Sequence, residues 1–178
     1  MTLGLRMDFP RTAIAAVVLA IGLLASTPAP AADVSMANGS VNFSTPDGWM
    51  EILETDGDPE VRAFEVPDPS PTGQAVLARV TVTVTQIAGV DGFQAYQNQA
   101  TAKATMLPSY KAVNTTDPRN VSYTAQEAGV ASSYRERYWF KDGHAIQLRC
   151  VRPQQSQAGA AWIAAFDRGC DAIAARLK

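Results

Sequence analysis

Val76–Ile87, VLARVTVTVTQI, is the stretch that most restricts what this chain can become. Val80, Val82 and Val84 fall on one side and Thr81, Thr83 and Thr85 on the other, the period of a strand whose two faces meet different surroundings. Branching at Cβ suits all six to an extended backbone and counts against a helix. The valine face demands a core, and the threonine row reads as a solvated sheet face. A strand needs partners, and the chain supplies a hairpin. Val130–Lys141 and His144–Arg152 flank Asp142-Gly143, a favoured two-residue turn. That turn places Trp139 opposite Ile146, Arg137 opposite Leu148 and Arg135 opposite Cys150. It also sets Glu136 against Arg149, Tyr138 against Gln147 and Phe140 against Ala145. Neither face of the hairpin is cleanly polar, so the expected sheet is partly covered on both sides.

Other segments fill in the same plan. Gly39–Thr45 alternates Val41 and Phe43 with polar neighbours; Pro46-Asp47-Gly48 is a turn, and Trp49–Leu53 is expected as the return strand. Val61–Val66 is a further strand, followed by the proline-rich loop Pro67–Gly73, which cannot lie inside a sheet. Asp91–Leu107 repeats Phe93, Tyr96, Ala100, Ala104 and Leu107 at helical spacing, with Asp91 as the expected N-cap and Pro108 as the stop. Tyr110–Thr115 and Val121–Gln126 are weaker strands around Asp117-Pro118. From about Ser156 to Leu177 runs a closing helix, with Phe166, Cys170, Ile173 and Leu177 on one apolar stripe. The fold class is α+β, a central antiparallel sheet flanked by helices.

The N-terminus carries an address. Arg6 and Arg11 precede the apolar run Thr12–Ala25, and a small-residue stretch ends at Ala31 and Ala32. This is the layout of a cleavable export signal, residues 1–31, and the run is too short to cross a bilayer comfortably as a helix. Residues 32–38 are expected to be a disordered start to the mature chain, with one domain over 39–178. No stable membrane insertion is expected once the leader is removed. The compartment bears on Cys150 and Cys170, the two cysteines of the chain. A redox couple favours the close C-x-x-C spacing, which is absent, and a metal site lacks further ligands. In an oxidising compartment a structural disulfide is the simplest account, tying the last helix to the strand that ends at Cys150.

Tests for chemistry come out mostly negative. His144 is the one histidine, beside Gly143 at the hairpin turn, and no G-x-S-x-G stretch is present to supply a nucleophile elbow. Asp56, Asp58 and Glu60 invite a weak cation site, but their spacing departs from the EF-hand loop and Pro59 interrupts it. The simpler reading is a solvated acidic turn. A net charge of −2 with dispersed basic residues leaves no footprint for nucleic acid. No cofactor motif appears. Asn38, Asn42, Asn114 and Asn120 begin glycosylation sequons, which matter only in a eukaryotic secretory pathway, and the Ala/Pro-rich leader reads as bacterial.

Val41-x-Phe43-x-x-Pro46-x-Gly48-Trp49, the Tyr134–Arg152 hairpin and the Trp162–Leu177 helix together resemble PsbP-like proteins, over about residues 39–178. That family is named for an extrinsic photosystem II protein and shares its fold with a Ran-binding transport factor. The resemblance implies an α/β/α arrangement and a non-catalytic role, since such proteins mostly bind, stabilise or escort others. It carries over no binding residue, and the cysteine pair is a local addition. The expectation is therefore an exported periplasmic binding or assembly factor whose partner is an envelope protein. Its candidate contact surfaces are the Pro67–Gly73 loop and the aromatic strip Tyr134, Tyr138 and Phe140. The alternative is an envelope hydrolase with a carboxylate-based site.

Overall fold

The computed structural model describes residues 29–114 and 117–178. Its elements run β1 (Asp33–Met36), β2 (Val41–Ser44), β3 (Met50–Thr55), β4 (Glu60–Glu65), α1 (Pro71–Ala75), β5 (Arg79–Gln86), α2 (Gly89–Thr105), β6 (Lys111–Asn114), β7 (Asn120–Glu127), β8 (Val130–Lys141), β9 (His144–Pro153) and α3 (Gly159–Arg176). Seven strands make one antiparallel sheet in the order β3-β4-β5-β9-β8-β7-β6, and β1 and β2 form a separate ribbon. The export signal expected over residues 1–31 lies, as far as Pro28, outside the described residues. No helix among the described residues is long and apolar enough to cross a membrane.

The alternation in β5 does what its sequence demands. Val80, Val82 and Val84 are buried against Cys150, Leu148 and Ile146 of β9, and burying each contributes about 1.5–3 kcal/mol. Phe64 extends this face, and α3 closes over it with Phe166, Cys170, Ile173 and Leu177. On the opposite face α2 lays Phe93, Ala104 and neighbours over Tyr123, Tyr134, Tyr138, Ala145 and Val151. The threonine row sits on that side, half-buried rather than freely solvated. Helices thus flank both faces of the sheet.

The β8–β9 hairpin has the register its turn dictates. Asp142 and Gly143 both take positive φ, the requirement of a type I′ turn, and all six expected cross-strand pairs form.

Three expectations are corrected. Residues 32–38 are ordered: Asp33–Met36 pairs with Val41–Ser44, because Met36 is apolar and buries with Val41 and Phe43 beneath α3. Trp49–Leu53 does not return along Gly39–Thr45. Trp49 instead turns inward to stack on Phe166, and β3 leaves to pair with β4 at the sheet edge. Asp91 is not the N-cap of α2; Ala88 holds that place with no side-chain cap, and Asp91 lies in the first turn, where its charge still suits the helix dipole.

Candidate functional site

Two cross-strand pairs of the hairpin, Glu136–Arg149 and Tyr138–Gln147, come together beneath α2 in a polar knot. Glu136 is 2 % exposed, the one buried carboxylate among the described residues. Its Oε1 accepts from the Tyr123 hydroxyl and from Arg149 Nε, each at 2.7 Å. Its Oε2 accepts from Gln147 Nε2 at 2.9 Å and from the Tyr138 hydroxyl. Gln147 Oε1 takes a further bond from Tyr96 at 3.0 Å. Four donors occupy the roughly four lone-pair positions of a carboxylate. Burial, and then the Glu136 charge, raise the Tyr123 and Tyr138 hydroxyls above their usual range. Burial is the largest single influence on Arg149 and opposes its charge, but the charges of and bonds to Glu136 and Tyr123 together outweigh it and raise the guanidinium above its ordinary value. A carboxylate so saturated has no lone pair left to take a substrate proton.

Several half-buried carboxylates are also engaged. Arg79 grips Glu127 with two bonds of 2.7 and 3.1 Å, and Tyr134 donates to the same group. Arg152 holds Asp167 with two bonds of 3.0 and 2.9 Å, while Arg135 and Arg137 converge on Asp171.

The residues singled out in the sequence are placed as follows. His144 is half-buried, with its Nδ1 shielded and without a hydrogen-bond partner. It lines a recess of about 750 Å³ together with Asp56, Asp58 and Glu60. Those carboxylates are already committed. Glu60 accepts from the Ala37 amide, Asp58 from the Gln86 amide, and Asp56 and Glu60 both face Arg62. No group of three potential ligands among the described residues is arranged to hold a metal ion.

The Pro67–Gly73 loop is latched to the start of α3, with Pro67, Pro69 and Pro71 exposed. Trp162 Nε1 donates to the Pro67 carbonyl at 2.8 Å, and Asp68 accepts from Ser70 and from Ser156. Burial pushes the Asp68 carboxyl up, but the bonds from Ser156 and Ser70 outweigh it and hold the group below its usual value.

The aromatic strip is not a surface. Tyr134 and Tyr138 are buried under α2, Tyr134 stacking on Tyr123 at 4.7 Å, because they occupy the covered face of β8. Phe140, at the end of the same face, is 38 % exposed.

Phe140 marks a groove that the sequence did not reveal. β7 starts opposite Arg137, so β8 continues past it with one edge uncovered. The opening, about 1150 Å³, lies between α2, the 117–121 segment and the tip of β8. Val90, Phe93 and Phe140 supply its apolar wall, and Arg119, Lys141 and Lys178 its positive charge. Phe93 and Phe140 pack at 5.9 Å. Gln97 Nε2 ties α2 to the Pro118 carbonyl at 3.1 Å and sets the spacing. A hint was present in the lengths of the expected strands, Val130–Lys141 being longer than Val121–Gln126.

Cys150 and Cys170 are joined by a disulfide, with Cα atoms 6.4 Å apart, and both are buried. A disulfide in a chain of this size belongs to an oxidising, exported compartment.

No protein-family model matches the chain, and no curated protein matches it by sequence. Among solved structures, PA94, a protein of unknown function from Pseudomonas aeruginosa, is similar at a TM-score of 0.44 and 16% identity. The match covers 70% of this chain and 83% of that one. A likeness of that degree carries no functional implication.

Proposed function

We propose that this chain is an exported periplasmic protein without catalytic activity, a binding or assembly factor for an envelope protein. The observation that carries the reading is the pairing of an open, apolar-walled groove with a polar interior whose one buried carboxylate, Glu136, is fully hydrogen-bonded. A hydrolase with a carboxylate-based site needs two converging carboxylates free to exchange protons. The groove wall offers side chains to hold a ligand, and of acids only Asp117, which the Arg119 amide and Asn120 keep ionised below the usual range. The resemblance to PsbP-like proteins supports the same reading.

Site-directed photo-crosslinking tests it. With p-benzoylphenylalanine in place of Phe140, the protein in its native envelope should form one discrete adduct with another protein. The same group in place of Met106, exposed at the far end of α2, should not. Equal adduct patterns from both sites, or turnover of ester, glycan or peptide probes by the purified protein, would overturn the proposal.

A further inference from the structure

The groove has a backbone as well as walls. In an antiparallel strand the N–H and C=O of one residue point to the same side, and alternate residues point to alternate sides. Tyr138 N donates to the Arg119 carbonyl at 3.0 Å, on the side away from β9. The Tyr138 carbonyl and both polar groups of Phe140 therefore face that side too. Beyond Arg119 the chain leaves β8, and among the described residues no strand pairs with Phe140 on this edge. These groups open onto the groove, beside Phe93 and Val90.

We infer that the groove receives an extended, acidic segment of a partner protein, which adds to the free edge of β8 in line with β7. Main-chain bonds to Phe140 would supply direction, and one apolar side chain would lie against Phe93 and Phe140. The sign of the partner follows from charge. Arg119, Lys141 and Lys178 surround the opening against a single acidic side chain, Asp117, which pairs with Arg119 Nε at 3.8 Å and leaves Lys141 and Lys178 without an acidic partner among the groove residues. A basic segment would meet net repulsion there, and an acidic one would be steered in. This inference rests on the binding reading above and names the chemistry of what is bound.

The test uses fluorescein-labelled Glu-Val-Glu-Ile-Glu-Val-Glu and its lysine counterpart, read by polarisation with the exported protein. The acidic peptide should bind, and the lysine peptide at least about tenfold more weakly. Replacing Arg119 and Lys141 by glutamate should reverse that order; both lie on the surface, so the fold is retained. Two further acidic peptides, N-methylated at one or the other set of alternate amides, report on the ladder. One should keep its affinity and the other lose at least about tenfold, because only one set can face β8. Equal affinity for acidic and basic peptides, no binding of either, or full affinity from both methylated peptides would overturn the inference. If the Phe140 crosslink persists in any of those cases, the binding function stands and only this account of its ligand falls.

Discussion

Arg149 Nε donates to Glu136 Oε1 at 2.7 Å, coupling a guanidinium that is 34% exposed to the one buried carboxylate among the described residues. The two are not equivalent partners. Arg149 can recover water if Glu136 is removed, whereas Glu136 cannot if Arg149 is. Arg149→Met should therefore destabilise the protein by about 2–4 kcal/mol, the lower part of that span reflecting the solvent already around the guanidinium. Glu136→Gln should cost less, and in the double variant the two losses should fall short of additive by more than about 1 kcal/mol. Urea unfolding of the four proteins measures this. Additive losses would show that the pair is not energetically coupled.

Stability should fall in alkali, through the tyrosines. Burial, and then the bond to Glu127, push the Tyr134 hydroxyl up to about 12, and Tyr123 and Tyr138 are raised as well. In the unfolded chain these groups titrate near 10, so the folded state holds their protons more tightly. Their contribution is then complete below about pH 10 and drains away as pH rises through about 12. Urea midpoints should stay level from neutrality to about pH 9 and drop steeply above about pH 10. Phenolate absorbance should rise together with unfolding. Ionisation of all five tyrosines near pH 10 with the fold intact would contradict this.

What the sequence made legible was whatever a local pattern decides. The β8–β9 register follows from Asp142-Gly143 alone, since a type I′ turn leaves one pairing, and the valine face of β5 follows from period two. The stripe on α3 was equally plain. What stayed hidden depended on a partner far along the chain. Trp49 was visible as a residue after a turn, but its seat against Phe166 in α3 was not. Tyr138 and Phe140 share one face of β8, and only the position of α2 buries the first and leaves the second exposed. Glu136 was placed opposite Arg149 by the turn, but its burial depends on α2 for the same reason. Met36 was passed over because Asp33–Met36 is too short for alternation to stand out, although its burial with Phe43 orders the start of the domain.

The disulfide should contribute more to holding α3 than to holding the sheet. Cys150 and Cys170 are 20 positions apart, and closing a loop of that length in the unfolded chain is worth about 3 kcal/mol. Cys150 sits in β9 at the middle of the sheet, where ladders on both sides secure it without the bridge. Cys170 sits in a helix that, the bridge aside, is held only by side-chain packing and side-chain bonds such as Arg152–Asp167 and Arg135–Asp171. The Cys150→Ala, Cys170→Ala double variant should lose about 3 kcal/mol. Its α3 amides should gain hydrogen-exchange rate before those of β5 and β9 do. Uniform acceleration across all three would refute this division. Free thiols in protein taken from its native compartment would remove the staple altogether.

Gly169 is where α3 meets the Trp49 ring most closely. A Cβ placed there would lie 2.5 Å from Trp49 Cζ2 and 3.1 Å from Pro46 Cγ, so alanine cannot be added without moving one of them. Neither moves freely: Trp49 is stacked on Phe166 at 6.3 Å, and Pro46 belongs to the turn that delivers the ring. Two effects oppose each other in Gly169→Ala. Helix propensity favours alanine by about 1 kcal/mol, while overpacking a closed core costs about 1–3 kcal/mol. With a rigid ring as the obstacle, the second should win, leaving a net loss of up to about 2 kcal/mol and a shifted tryptophan emission. Trp49→Phe removes the ring atoms that clash. In that background Gly169→Ala should become neutral or stabilising, by up to the propensity gain. Urea midpoints for the single and double variants decide it. If Gly169→Ala costs as much beside Phe as beside Trp, the close approach of α3 to the indole is not what demands glycine at this position.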